Sequence, residues 1–186
     1  MTIDDLVAQQ EIRDVLIRYT RGIDRMDPDL VLSCYWPGAH DDHGAFQGSA
    51  EDFAQWVQDV LVYFDVTMHF IGNQLVEVDG DTAHAESYCV AYHRRRARDG
   101  EQGHDLVTAL RYVDRLERRR VERPGGATPG TPASSEASQM EAGEWRIADR
   151  KCVFDWTRRD PITAEWDLPP EALQGRRDRS DPVYLH

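Results

Sequence analysis

The hydrophobic pattern of this chain changes period once, near Asp65, and that switch most narrows the folds open to it. Upstream, apolar residues recur at the three- or four-residue spacing that gives a helix one buried face. Leu6, Ile12, Val15, Leu16, Tyr19 and Ile23 form one stripe and predict a helix over about 3–23. Asp27-Pro28 offers an N-cap with proline in the first turn, opening a short helix through Cys34 that Trp36-Pro37-Gly38 should stop. Ser49, with Asp52 three residues on, caps a third helix whose stripe is Phe53, Trp56, Val57, Val60, Leu61 and Phe64. Downstream the period is two, the mark of strands. It predicts long strands over 66–78, 82–96, 105–118 and 144–156, the first two joined by a tight Asp79-Gly80 turn. A shorter strand is expected over about 39–47. Helices followed by a meander of strands read as α+β. The expected form is a cone-shaped α+β barrel: a strongly curved, mostly antiparallel sheet with helices packed on its concave face and a ligand pocket between them.

A chain of 186 residues is long enough for one domain with a real core. That domain is expected over 1–160, interrupted over 122–143 by a surface loop too rich in Pro, Gly, Ser, Ala and Thr to bury a core. Residues 161–186 read as a C-terminal tail packing on the domain, with Trp166, Leu168 and Tyr184 as anchors. No apolar run nears the roughly 20 residues a membrane span needs, and the start lacks a secretory pattern. Cys34, Cys89 and Cys152 are odd in number and widely spaced, which fits neither a disulfide framework nor a metal-type Cys-x-x-Cys. The expected compartment is the cytoplasm. A net charge of −12 argues against nucleic acid or an anionic membrane as partner. The arginine runs at 94–96 and 118–120 read as solvated strand ends.

Several residues could carry chemistry. Asp24 ends the first helix, where a carboxylate opposes the helix dipole and asks for a compensating partner. His69 sits in the first long strand, on the face that strict alternation shares among Thr67, Ile71 and Asn73. A buried imidazole needs partners for both nitrogens, and a carboxylate is a common one. Taken singly, a solvated helix end for Asp24 and a satisfied core histidine for His69 are the simpler accounts. Arg150 is expected on one face with Cys152, Phe154 and Trp156, opposite Trp145, Ile147 and Val153. An arginine among apolar neighbours should pair with a carboxylate or enter a polar cavity. His40-Asp41-Asp42-His43 has neither helical nor finger-type metal spacing and reads as a turn or polar strand mouth; no metal site is expected.

Longer strings carry a family resemblance. Gln10-Glu11-Ile12 with Tyr19-Thr20-Arg21-Gly22-Ile23-Asp24, then Trp36 and His40-Asp41-Asp42-His43-Gly44, then Thr67-Met68-His69-Phe70-Ile71-Gly72-Asn73, then 112–119 and Gly143-Glu144-Trp145-Arg146-Ile147 follow one another in characteristic order. Together they resemble the SnoaL-like branch of the nuclear-transport-factor-2-like superfamily, over about 3–156. Within it the chain is most similar to scytalone dehydratase, the bile-acid dehydratases and hexachlorocyclohexane dehydrochlorinase.

That resemblance implies a lyase without metal or organic cofactor, eliminating water from a small hydrophobic ring such as a steroid, terpenoid or polyketide. It assigns His69 as base and Asp24 as its orienting carboxylate. Tyr19 matches the tyrosine that the dehydratases place five residues before the aspartate, where the dehydrochlorinase has lysine. Arg150 matches the arginine of the last strand. His93, Tyr92, Phe154 and Trp56 are the expected substrate contacts. An isomerase or cyclase with the same pair, or a non-catalytic ligand-binding or subunit-type member, remains an alternative, because this fold hosts all of these. A homo-oligomer is implied as well, a trimer by resemblance, with a dimer open.

Overall fold

A computed structural model describes residues 2–121, 143–164 and 168–184. The expected loop, apart from Gly143, and the proposed anchor Trp166 lie outside the described residues. Helix α1 spans Ile3–Asp24, α2 Pro28–Ser33 and α3 Ala50–Leu61. The strands are β1 Tyr35–Asp42, β2 Gln47–Ser49, β3 Val66–Asp79, β4 Thr82–Arg95, β5 His104–Arg119 and β6 Glu144–Pro161. Among the described residues no helix is long and apolar enough to cross a membrane.

Each helix starts where its side chains satisfy otherwise unpaired backbone N–H groups. Thr2 and Asp5 form a reciprocal capping box at α1. Asp27 accepts from Leu30 N–H ahead of Pro28, and Ser49 accepts from Asp52 N–H. The α1 stripe is buried from Ala8 onward, through Ile12, Val15, Leu16, Tyr19 and Ile23, whereas Leu6 stays exposed in the first turn. Full burial of residues such as Ile12 and Leu16 stabilises by about 1.5–3 kcal/mol each. Gly22 permits the tight turn from α1 into α2: a Cβ there would lie 2.9 Å from both the Val31 backbone nitrogen and Val31 Cγ2.

The strands form one sheet in the order β2-β1-β6-β5-β4-β3. All neighbours are antiparallel except β1 and β6, which run parallel. This corrects the expected cone-shaped barrel. β2 and β3 are edges that do not pair with each other, so the sheet is open and mixed, neither closed nor strongly curved. Closure would need a ladder between those edges, and β2 offers only three residues. Periodicity reports which face of a strand is buried, and it carries no information about whether the two edges meet. Trp36-Pro37-Gly38, expected to end a helix, instead lies inside β1.

Two strands also break the alternation read from the sequence. In β3 the register slips between Ile71 and Gln74, so Thr67, His69, Ile71, Gln74 and Val76 turn inward and Asn73 is exposed. In β6 a bulge at Ala148 brings Arg150 and Cys152 to the same face as Trp145 and Ile147, where strict alternation put them on opposite faces. A bulge inserts one residue and reverses the side-chain phase beyond it. The helices cover this inner face. The outer face leaves Phe70, Val90 and Trp156 exposed, joined in register through Ala109.

The C-terminal segment is tied to the end of α1 by polar contacts. Asp181 pairs with Arg25 at 3.2 Å, and Asp27 receives Arg179 at 2.9 Å and the Tyr184 hydroxyl at 3.2 Å. Leu168 is exposed.

Candidate active site

Between α1, α3 and the inner face of the sheet lies a cavity of about 280 Å³. Its wall is apolar where Ile23, Trp56, Val57, Leu106, Leu110 and Phe154 meet, with Tyr19, His43, His69 and His93 as polar points. A few polar groups set in an apolar concavity are the usual form of a small-molecule site.

The first of these points is a pair assembled from residues 45 positions apart. The His69 backbone N–H donates to Asp24 Oδ2 at 2.9 Å, and His69 Nδ1 lies 2.7 Å from Asp24 Oδ1. Burial pushes the Asp24 carboxyl up, but the hydrogen bond from the His69 ring, the charge of that ring and the backbone N–H outweigh it, and the net shift is downward. Asp24 is therefore ionised at neutral pH and can only accept, so Nδ1 carries the ring hydrogen. His69 Nε2 has no hydrogen-bond partner among the described residues. The misfit of a carboxylate at a helix C-terminus, about 0.3–1 kcal/mol, is offset by these two bonds.

His93 stands edge-on to His69, ring centroids 5.4 Å apart. Burial first, then the charges of His69 and Arg177, depress its pKa to about 3, so it is neutral at physiological pH.

A second pair faces the same cavity. His43 Nδ1 lies 2.6 Å from Asp41 Oδ1, and the Tyr35 hydroxyl donates to Asp41 Oδ2 at 2.6 Å. Asp41 is fully buried, and although burial raises its pKa, His43, Arg150 and Tyr35 bring it below the ordinary value. The His43 ring stacks on Phe53 with centroids 4.5 Å apart. Gly44 turns the chain after it at a φ of 73°, beside the Phe154 ring, a conformation and spacing that favour glycine. His40 pairs with Asp149 at 3.6 Å instead of joining His43. Among the described residues no set of three or more His, Cys, Asp or Glu side chains is placed to hold a metal ion.

Arg150 lies behind the cavity wall and does not line it. It is fully buried, donating from Nε and Nη2 to Asp114 Oδ1 and Oδ2 at 2.7 and 2.8 Å. Its guanidinium is sandwiched between the rings of Tyr19 and Tyr112, 4.1 and 4.2 Å from their centroids. Burial holds the Tyr19 phenol well above its usual range, so it stays a hydrogen-bond donor.

The structure thus gathers Tyr19, His69, His93, Trp56 and Phe154 around one cavity, with Asp24 directly behind His69. Tyr92 does not reach it: next to His93 in an extended strand, it turns to the other face and donates to Asp105 at 2.8 Å. The string His40-Asp41-Asp42-His43 reads from sequence as a turn or polar strand mouth, which does not single out His43 and Asp41 as a pair. The two-residue spacing of Asp41 and His43, across the end of β1, was the signal available.

The SnoaL-like domain profile matches residues 4–151. Uncharacterized proteins of Mycobacterium bovis and Mycobacterium tuberculosis are 32% identical over 92 residues, 48% of this chain and 63% of each relative, so the chain spans under two thirds of their length. Among solved structures, a putative scytalone dehydratase from Novosphingobium aromaticivorans is similar with a TM-score of 0.64 at 16% identity, over 94% of this chain and 100% of that one. The hexachlorocyclohexane dehydrochlorinase LinA-type3 from Novosphingobium barchaimii gives 0.65 at 17% identity, over 90% and 99%. At such identities the likeness is one of fold.

Proposed function

This chain belongs to the SnoaL-like domain family, and on that premise we propose that it is a cofactor-independent lyase removing water by β-elimination from a small hydrophobic ring compound. The observation that carries this reading is the His69–Asp24 pair, with Nδ1 held by the carboxylate and the imidazole lining an apolar cavity. His69 Nε2 takes a proton from the carbon beside an activating carbonyl. Asp24 fixes the tautomer and stabilises the imidazolium that forms, the orienting role an aspartate has in catalytic triads. The electron pair left on carbon moves toward the carbonyl oxygen, where the Tyr19 hydroxyl donates. Arg150 acts from behind the Tyr19 ring, favouring negative charge on that side, an effect strengthened in a water-poor site. Expulsion of the β-hydroxyl completes the double bond. His93, neutral beside the base, leaves the cavity uncharged at that wall.

A general base of this kind contributes about 10² to 10⁴ in rate. His69→Ala should lower turnover by at least that lower figure while circular dichroism and thermal unfolding stay native-like. The readout is mass spectrometry of β-hydroxy ketones incubated with the protein: elimination lowers product mass by one water, whereas isomerisation leaves it unchanged. Equal turnover by His69→Ala would remove the proposal. The homo-oligomer that the family resemblance implies would bury the exposed Phe70, Val90 and Trp156 of the outer face against further copies, and a monomer by light scattering would argue against it.

A further inference from the structure

The cavity contains two imidazoles held in the same way, and the base mechanism uses one. His69 is anchored through Nδ1 to Asp24 at 2.7 Å and His43 through Nδ1 to Asp41 at 2.6 Å, and both rings line the cavity. Among the described residues neither Nε2 has a hydrogen-bond partner. The two imidazoles come from places far apart in the sheet order, β3 and the residue just after β1, so they enter the cavity from different walls. A cavity of about 280 Å³ is small enough that one ring compound filling it touches both.

The support for His43 is built as carefully as that for His69. Asp41 is fully buried and receives the Tyr35 hydroxyl on its second oxygen, and the imidazole is clamped flat on Phe53. A histidine with only a packing role in a cavity wall needs no buried carboxylate fixing its tautomer, nor a tyrosine fixing that carboxylate. Such a chain of hydrogen bonds orients a ring for proton transfer at its far nitrogen.

From this geometry we infer that His43 is a second catalytic residue, the general acid that protonates the leaving hydroxyl while His69 removes the carbon-bound proton. The inference rests on the lyase reading above and names the partner that reading lacks, since hydroxide leaves poorly without a proton. The step balances within the cavity. The C–H bond breaks as His69 Nε2 gains its proton, and its electron pair forms the new C=C bond. The C–O bond breaks with its pair on oxygen, and oxygen takes the Nε2 proton of the His43 imidazolium and departs as water. His69 then returns its proton to solvent and His43 regains one, restoring both rings.

The test uses two probes with one carbon skeleton: the aldol adduct of benzaldehyde and acetone, and its O-acetyl ester. Both eliminate to benzylideneacetone, followed by ultraviolet absorbance, but acetate leaves without needing a proton. His43→Gln should lower the hydroxyl-to-acetate rate ratio by about 10²-fold, the usual scale of acid catalysis. His69→Gln should slow both probes and leave the ratio nearly unchanged. An unaltered ratio in His43→Gln overturns the acid role and leaves the lyase reading standing, whereas a wild-type protein that eliminates acetate but never water removes both. Failure of the wild type on both probes removes that reading and the acid role together. A second measurement needs no turnover. Diethyl pyrocarbonate acylates only unprotonated imidazole, so it should modify His69 well ahead of His43, and benzylideneacetone should protect His69 but not the exposed His40, as read by peptide mass mapping. A His43 that is acylated as fast as His69 overturns the inference irrespective of activity.

Discussion

Asp24→Asn isolates the hydrogen bond on which the site depends. Asparagine keeps a carbonyl oxygen for the His69 backbone N–H, now accepted at 2.9 Å, but replaces the other carboxylate oxygen by an amide NH₂ that can only donate. The 2.7 Å contact to Nδ1 then survives only if the ring hydrogen moves to Nε2. One charge-assisted bond is exchanged for a neutral one, a loss of about 1.5–3 kcal/mol. Removing the anion from the helix C-terminus returns about 0.3–1 kcal/mol. The net loss at pH 7 is roughly 0.5–2.7 kcal/mol, or about 1–11 °C in Tm for a chain of this size. Because the folded-state pKa of Asp24 is lowered, the unfolded chain binds its proton first as pH falls. The wild-type advantage is therefore complete above the unfolded value near 4 and disappears as pH drops through the lower folded value. Urea unfolding of both proteins between pH 7 and pH 3 measures it, and nitrogen-15 spectra of the imidazoles report the tautomer. An Asn variant equally stable at pH 7, with a gap that does not narrow in acid and Nδ1 still protonated, would refute the reasoning.

Two further outcomes are expected. The buried Arg150–Asp114 pair should be costly to break from one side: Asp114→Ala strands a fully buried guanidinium and should lose about 3–5 kcal/mol in urea unfolding, whereas Arg150→Met with Asp114→Leu should recover most of it. Equal losses in the single and double variants would contradict this. His93 is held to a pKa of about 3 against 6.5 when free, so acid favours the unfolded chain throughout that window, with stability falling by up to about 1.4 kcal/mol per pH unit. His93→Phe should flatten that limb, and an imidazole already protonated at pH 5 by NMR would exclude it.

The legibility of the site differed from residue to residue. His69 and Asp24 were each ambiguous in isolation, and only the order of surrounding strings in a family pattern singled them out as partners; their contact is a fact of tertiary structure. Arg150 was identified as an unusual arginine, with a paired carboxylate as one expected solution, but Asp114 could not be named as that partner and the bulge at Ala148 could not be seen. Tyr92 was nominated beside His93 although adjacent strand residues point to opposite faces, an inconsistency the period of two already contained. His43 stands in a string that reads as a turn or polar strand mouth, and a histidine's role depends on which wall its ring reaches.

The amino-acid sequence by itself determined the helices, the long strands and the α+β class, because caps, turn residues and hydrophobic period act over a few neighbouring positions. Whether the sheet closes, where bulges reverse a strand's phase, and which carboxylate meets which imidazole were decided only in three dimensions. Those outcomes depend on contacts between segments tens of residues apart, as His69 and Asp24 are, and such contacts leave no trace in local periodicity.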